Sequence, residues 1–188
     1  MNIFVLHTEP DKAARQMCDK HVPKMIVESA QMMASAVRRY GATDEQFIKY
    51  GILTKAGKPY RGGYKNHPCT LWAGDTFGNF AWLTDHALAL CVEYTSRFGK
   101  KHACYDAIVA LYNVGRDWIG TGERTPFALA MPDEFRPITT DGEMAYHAED
   151  IDAVQAYRAY YHSKTFAKWE KGRDAPWWWQ GAIEICSA

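Results

Sequence analysis

The sequence lacks an excess of charge, a long apolar run and closely paired cysteines. Lys and Arg together number 22, as do Asp and Glu, so net charge gives no argument for a nucleic-acid partner. The longest apolar runs, Ala87 to Val92 and Ala107 to Tyr112, have six residues each. A membrane-spanning helix needs about 20 such residues. We therefore expect a soluble protein with no membrane partner.

A signal peptide and a disulfide framework are also missing. The segment from Met1 to His7 has no basic stretch and no small-residue cleavage site. The five cysteines are odd in number and contain no C-x-x-C pattern, which predicts free thiols in a reducing compartment. The expected location is the cytoplasm.

Common catalytic signatures are absent as well. The sequence contains no G-x-G-x-x-G, P-loop, G-x-S-x-G or H-E-x-x-H motif, which removes support for the usual nucleotide-binding and hydrolase classes, and no cofactor is expected. What is present is a globular composition, 47% hydrophobic and 14% aromatic. With no run of alternating strands, it predicts one mainly α, compact multi-helix domain over residues 1–188, with a short N-terminal arm and at most a small β-hairpin.

Prolines and glycines predict the helix ends. A helix is predicted to start near Pro10, and Pro23 predicts a break or kink around residues 20–22, before a second helix to about Tyr40. His67 followed by Pro68 predicts the start of a long central helix to residue 98, with interruptions at its glycines. Further helices are predicted at 102–113 and 149–171, the second with a buried side formed by Ile151, Val154, Tyr157, Tyr161 and Phe166.

Two segments differ from these helices in composition. Residues 41–65 interleave basic residues with tyrosines and glycines, which predicts a mobile, locally basic loop or hairpin. Residues 172–188 form an aromatic tail that includes Trp177, Trp178 and Trp179. These tryptophans are interpreted either as a hydrophobic anchor or as a platform on which bases stack.

The sequence Cys18-Asp19-Lys20-His21 is the first candidate site. A histidine near neutral pKa can act as a general acid or base, and Lys24 can hold a phosphate or an oxyanion. The alternative is a surface histidine beside solvated lysines. Glu93 and Arg97 are four residues apart on the central helix, which favours a structural ion pair over a catalytic carboxylate.

The second candidate is the start of the central helix at Asn66 and His67. Backbone N–H groups at a helix start favour an anion, and Lys65 and Arg61 precede it, so a phosphate site is predicted there. The alternative is a helix cap formed by the histidine. A zinc site built from Cys18, His21, His67 and Cys69 is a weaker interpretation because neither half has paired cysteines.

The order of these motifs resembles the phage pyrimidine-dimer DNA glycosylases of the endonuclease V type. Related uncharacterised phage proteins are similar at the segment 18–21. The resemblance runs along much of the chain and rests on the N-terminal arm together with five further segments: His21-Val22-Pro23-Lys24, Gly63 to Pro68, Glu93 to Phe98, Met131 to Arg136 and Pro176 to Ile183. It implies a small all-α fold that flips a nucleotide out of double-stranded DNA.

Two positions depart from the family's pattern. The resemblance implies an N-terminal Thr amine as nucleophile and a Glu near the early-helix proline, where this sequence has Asn2 and His21. The imine-forming chemistry is therefore not expected. What the resemblance still implies is a scaffold that handles DNA, with phosphates on basic residues and aromatics against bases; the predicted nucleic-acid-binding residues are Lys20, Lys24, Arg61, Lys65, Asn66, Tyr64, Trp177 and Trp178.

The first functional hypothesis is a phage-type enzyme, acting in an infected bacterial host, that modifies a thymine-derived base in DNA. It would transfer an amine or amino acid onto an activated hydroxymethyluracil, with catalytic roles for His21, His67 and Lys24. One alternative is a pyrimidine-dimer glycosylase. Another is a noncatalytic DNA-binding protein. The active-site hypothesis requires that His21 and His67 share one site.

Overall fold

The structure is a computed structural model that describes residues 1–183, so Cys186 and the end of the aromatic tail lie outside the described residues. Seven α-helices account for most of the regular structure in that range: α1 Pro10–Gln16, α2 His21–Arg39, α3 Asp44–Lys49, α4 Pro68–Asp75, α5 Phe77–Phe98, α6 Tyr105–Trp118 and α7 Asp150–Tyr161. Strands β1 (Phe127–Ala128) and β2 (His147–Ala148) pair antiparallel, with Phe127 opposite Ala148. The predicted mainly α, single-domain fold is confirmed.

Helix ends follow the predicted prolines and glycine. Pro10 and Pro68 each open a helix, where a missing backbone N–H costs nothing. Gly99 ends α5 in the left-handed conformation at φ 70°, which glycine adopts without strain. The predicted central helix is divided at Thr76 into α4 and α5. The Thr76 hydroxyl caps α5 by accepting a hydrogen bond from the backbone N–H of Asn79 at 3.1 Å.

Four expectations about the helices need correction. Pro23 produces no kink, because the chain breaks earlier and the proline falls in the first turn of α2. The helix predicted at 102–113 spans Tyr105–Trp118. The helix predicted to reach residue 171 ends at Tyr161, and Ile151 is 70% exposed rather than buried. Residues 41–65 contain the short helix α3, opened by a capping box between Thr43 and Gln46, before an isolated bridge between Leu53 and Pro59.

The core is organised around α5, which packs against α1, α2, α4 and α6. The N-terminal arm, Ile3 to Leu6, is buried with it. Asn2 shapes the arm, since its Oδ1 accepts hydrogen bonds from the amides of Ile3 and Phe4 at 2.7 and 2.9 Å. Phe4 consequently lies between the start of α2 and the end of α7. Among the described residues, no helix is both long enough and apolar enough to cross a membrane.

Candidate active site and nucleic-acid interface

His21 is the first residue of α2 and only 2% exposed. Its ring stacks on Phe4, with 4.7 Å between ring centroids, and meets Tyr161 and Phe166 edge-on at 5.2 Å each. Four separate parts of the chain meet here: the N-terminal arm, α2, the last residue of α7 and the segment after it. The predicted alternative of a surface histidine is wrong.

The Nδ1 atom of His21 lies 2.8 Å from the Tyr161 hydroxyl. That hydroxyl also accepts a hydrogen bond from the backbone N–H of Cys18 at 2.9 Å. The backbone before α2 and the histidine ring are therefore held by one phenol. Tyr161 was predicted as a core residue of its helix, but no sequence pattern indicated that it faces His21.

Lysines surround this histidine. Burial lowers the pKa of His21 to about 3, and the charges of Lys24, Lys164 and Lys20 act in the same direction. The ring is therefore neutral near pH 7, which argues against an imidazolium acting as the general acid. An environment with this charge favours an anion, such as a phosphate group, over a second cation.

A buried ion network holds the segment that precedes His21. The Arg97 guanidinium, with a fully buried side chain, donates to Glu93 at 2.9 Å, to Asp19 at 3.1 Å and to the Met17 carbonyl at 2.8 Å. Arg173 donates to the other oxygen of Glu93 at 2.7 Å. The predicted structural ion pair between Glu93 and Arg97 is confirmed, and its carboxylate is fully engaged.

Glu28 connects α2 with the start of the chain. Its Oε2 accepts a hydrogen bond from the backbone N–H of Asn2 at 3.0 Å and lies 3.7 Å from the Met1 ammonium. Its Oε1 lies 3.7 Å from Lys24 Nζ. His21, Lys24 and Glu28 share one face of α2 because they are three and seven residues apart. Sequence reasoning missed Glu28, although its helical spacing from His21 was visible.

His67 lies near the Met1 ammonium and is not among the described residues that contact His21. It is the N-cap of α4, and its Nδ1 accepts a hydrogen bond from the Cys69 amide at 3.2 Å. Partial burial and the nearby Met1 ammonium lower the pKa of His67. Among residues 1–183, no hydrogen bond or ring contact joins His21 to His67. His67 thus forms the predicted helix cap, and a site shared by His21 and His67 stays a prediction that no direct contact between them supports.

The zinc interpretation fails on the same geometry. Within residues 1–183, no three His, Cys, Asp or Glu side chains come together as metal ligands. Cys18, Cys69, Cys91 and Cys104 are free and buried. Burial raises the pKa of the Cys69 thiol to about 12, so it is a packed thiol beside Tyr157 rather than a ligand.

A second basic feature lies between α2 and the segment before α4. We call it the cationic cleft; it has a volume of about 320 Å³ and is lined by Ser35, Arg38, Arg39, Arg61, Lys65, Asn66 and Leu71. Arg38 pairs with Asp44 and Arg39 with Asp75. Arg61 and Lys65 have no ion-pair partner within the described part of the chain. The structure thus brings three predicted residues together and adds two arginines that sequence reasoning missed.

Close backbone packing forms this cleft. The Ser35 hydroxyl accepts from the Gly63 amide at 2.8 Å and donates to the Gly63 carbonyl at 3.1 Å. Gly62 has φ 76°, and a Cβ there would lie 2.3 Å from the Ser35 hydroxyl. Only glycine therefore allows the segment to run this close to α2. Tyr64 follows at φ 50° with 73% of its surface exposed.

The aromatic tail divides into one exposed ring and one buried ring. Trp177 is 84% exposed and keeps its predicted availability for stacking. Trp178 is 7% exposed, and its Nε1 donates to the Gln16 side chain at 2.6 Å. This burial favours the hydrophobic anchor for Trp178, because its ring packs edge-on against Tyr161, and binding of nucleic acid by Trp178 stays a prediction.

A helical domain that surrounds a buried, neutral histidine with lysines and carries a separate cationic cleft suits a ligand rich in phosphate. The family model described as pyrimidine dimer DNA glycosylase matches residues 1–106, and the chain belongs to this family. Membership supports a glycosylase-like role on a DNA substrate. Comparisons with curated proteins and with solved structures each gave no significant match.

The matched range covers only part of the candidate site. It contains His21, Lys24 and the cationic cleft. Tyr161, Lys164 and the aromatic tail lie beyond it, as do residues 131–136, which contributed to the resemblance. Residues 1–106 therefore supply His21, while the later residues supply Tyr161 and Lys164 beside it.

Proposed function

We propose that this protein is a base-modifying transferase that acts on a flipped, thymine-derived base in double-stranded DNA. It would join an amine or an amino acid to a hydroxymethyluracil activated by a phosphate or pyrophosphate group. The observation that carries this proposal is a neutral, buried His21 surrounded by Lys20, Lys24 and Lys164 on the scaffold of a DNA glycosylase family.

The charge at this site favours transfer over glycosidic cleavage. Cleaving the bond between base and sugar develops positive charge on the sugar, which a nearby carboxylate stabilises. Three lysine charges oppose such a cation and stabilise a departing anion. The carboxylate of Glu28 is already occupied by the Met1 ammonium and Lys24.

The proposed reaction balances without a cofactor. The amine nitrogen of the co-substrate attacks the methylene carbon on C5 of the base, and a C–N bond forms. The bond between that carbon and the phosphate oxygen breaks, and phosphate or pyrophosphate leaves with the bonding electron pair. The attacking nitrogen releases one proton to solvent. Lys24 and Lys20 would hold the leaving group.

The cationic cleft would hold the DNA backbone. Arg61 and Lys65 are available to neutralise phosphates, and Asn66 adds an amide at the same place. Exposed Tyr64 and Trp177 offer rings on which unpaired bases can stack. Removing a base from the duplex costs a few kcal/mol, which these contacts would offset.

The first test is incubation with three duplexes followed by mass spectrometry of the released nucleosides. One duplex is plain, one is ultraviolet-damaged and one carries phosphorylated or pyrophosphorylated hydroxymethyluracil; an amino-acid and amine pool is present throughout. We expect a new mass on the activated base only. Lys24→Gln should reduce the yield about 10- to 100-fold, whereas Lys49→Gln on α3 should leave it unchanged.

Two other outcomes would overturn the transferase. Loss of bases from the damaged duplex would establish a glycosylase, the second candidate, which the family match favours. Binding without any change of mass would indicate a noncatalytic DNA-binding protein. In every case Arg61→Gln should weaken DNA binding. The slope of the logarithm of the DNA-binding constant against the logarithm of the salt concentration should become shallower by about one, as expected for one lost phosphate contact.

A further inference from the structure

We propose that Tyr161 is a positioning residue that holds His21 as the tautomer with its proton on Nε2, so that the ring presents an N–H donor to the substrate. The identity of the acceptor, an oxygen of the leaving phosphate, rests on the proposed function. The tautomer itself does not, because it follows from the hydrogen bonds around one hydroxyl.

The inferred tautomer depends first on the hydrogen-bonding capacity of a phenol. A hydroxyl carries one hydrogen to donate and two lone pairs to accept with. The Cys18 backbone N–H can only donate, so the Tyr161 oxygen is the acceptor in their 2.9 Å contact. The hydroxyl hydrogen remains to be placed, and His21 Nδ1 lies 2.8 Å away. An unprotonated Nδ1 is the acceptor that completes this chain.

Other placements of that hydrogen are weaker. Among residues 1–183, the Cys18 N–H and His21 Nδ1 have good hydrogen-bond geometry with the Tyr161 hydroxyl. The Cys18 thiol is also nearby, but sulfur accepts hydrogen bonds poorly compared with an imidazole nitrogen. A proton on Nδ1 would leave the buried phenol without a good acceptor, which is costly for a buried polar group.

Positive charges near the ring keep it singly protonated. Lys20 and Lys24 lie at the start of its own helix, and Lys164 follows α7. Phe4 and Phe166 cover the ring with apolar surface. Both the positive charge and the burial oppose a second proton, so the neutral form has one N–H, on Nε2.

The other ring nitrogen is the accessible one. His21 Nε2 makes no hydrogen bond within the described residues, yet it is not among their fully buried, unpartnered polar atoms. Nε2 therefore retains a small accessible surface, although the residue as a whole is only 2% exposed. Its N–H would donate to the oxygen on which charge develops as the phosphate leaves, with the nearby lysines adding charge stabilisation. His21 then stabilises the leaving group without transferring a proton.

The experiment is nitrogen-15 NMR of the full chain labelled at histidine, in wild type, Tyr161→Phe and Tyr157→Phe. Tyr157 is a matched control: it is equally buried in the same helix and also touches Phe4, but its hydroxyl donates to the Ala128 carbonyl at 2.7 Å. We expect one Nε2–H tautomer of His21 in wild type and in Tyr157→Phe. Tyr161→Phe should give a mixture of tautomers.

Transfer activity provides the second measurement. Tyr161→Phe should lower kcat about 10- to 100-fold with little change in KM, as loss of an orienting hydrogen bond does elsewhere, and Tyr157→Phe should lower it much less. A His21 proton on Nδ1 in wild type would overturn the proposal, even if Tyr161→Phe failed to fold. A normal Nε2–H spectrum without any transfer would retain the positioning role and remove the proposed function.

Discussion

Residues 1–106 and residues 107–183 contribute to the candidate site in different ways. The first region, which the family model matches, carries His21, Lys24 and the cationic cleft. The second region carries Tyr161, which binds the His21 ring, and Lys164, which adds to the positive charge around it. The region that the family model matches thus carries the histidine and most of the basic groups, while the rest of the chain contacts the His21 ring and adds one lysine charge near it.

Two further contacts between these regions lie away from His21. Arg173 of the second region donates to Glu93 of the first, beside the buried Arg97. Gly78 of the first region lies against the backbone of residues 123–124 of the second, where a Cβ would come within 2.3 Å of the Arg124 nitrogen. A substitution that weakens either contact should lower the stability of the fold by loosening the packing between the two regions.

Among single substitutions at pH 7, the largest effect is expected from Arg97→Met. It leaves Asp19 without its buried partner and removes donors from two backbone carbonyls, so the free energy of unfolding should fall by about 3–5 kcal/mol. Chemical denaturation measures this change. Asp106→Asn, which breaks the exposed pair with Lys101, is the control and should cost less than about 1 kcal/mol. Equal losses in both variants would mean that the buried network around Arg97 stabilises the fold no more than an exposed ion pair does.

A second prediction concerns acid. Burial lowers the pKa of His21 and of His86 to about 3, and both lie in the first region. An unfolded chain protonates these rings below pH 6.5 while the folded chain does not, so stability is lost as pH falls from 6.5 towards 3. Each ring should contribute about 1.4 kcal/mol per pH unit in that window.

His86→Leu isolates one of these rings. Both nitrogens of His86 are buried without a partner in the described residues, and its ring stacks on Trp82. An apolar side chain of similar size should therefore preserve or raise stability at pH 7. Denaturation at a series of pH values should give a slope smaller by one proton. An unchanged slope would show that His86 is not the source of the acid sensitivity.

A smaller loss of stability than for Arg97→Met is expected from Gly78→Ala. The added methyl group meets backbone atoms that cannot rotate away, which should cost about 1–3 kcal/mol and separate the two regions slightly. Gly120→Ala is the matched control, since a Cβ at Gly120 would meet no atom of the described residues within 4 Å and its φ needs no glycine. Thermal unfolding compares them; equal midpoints would mean that the contact at Gly78 adapts without cost.

Local signals predicted much of the first region. Pro10, Pro68 and Gly99 marked helix ends correctly because their backbone constraints act wherever they occur. The capping box from Thr43 to Gln46 was an equally local signal for α3 and was overlooked in a basic, glycine-containing segment. The end of α7 was misplaced because no proline or glycine follows Tyr161 closely.

The sequence by itself determined the helical class, the helix starts at Pro10 and Pro68 and the family, because these depend on residue spacing and backbone chemistry. Only the tertiary structure decided that His21 meets Tyr161, 140 positions away, rather than His67, and that Trp178 is buried while Trp177 is exposed. Those outcomes depend on how α2, α7 and the tail pack around the N-terminal arm. Packing, unlike spacing, joins residues that are distant in the chain.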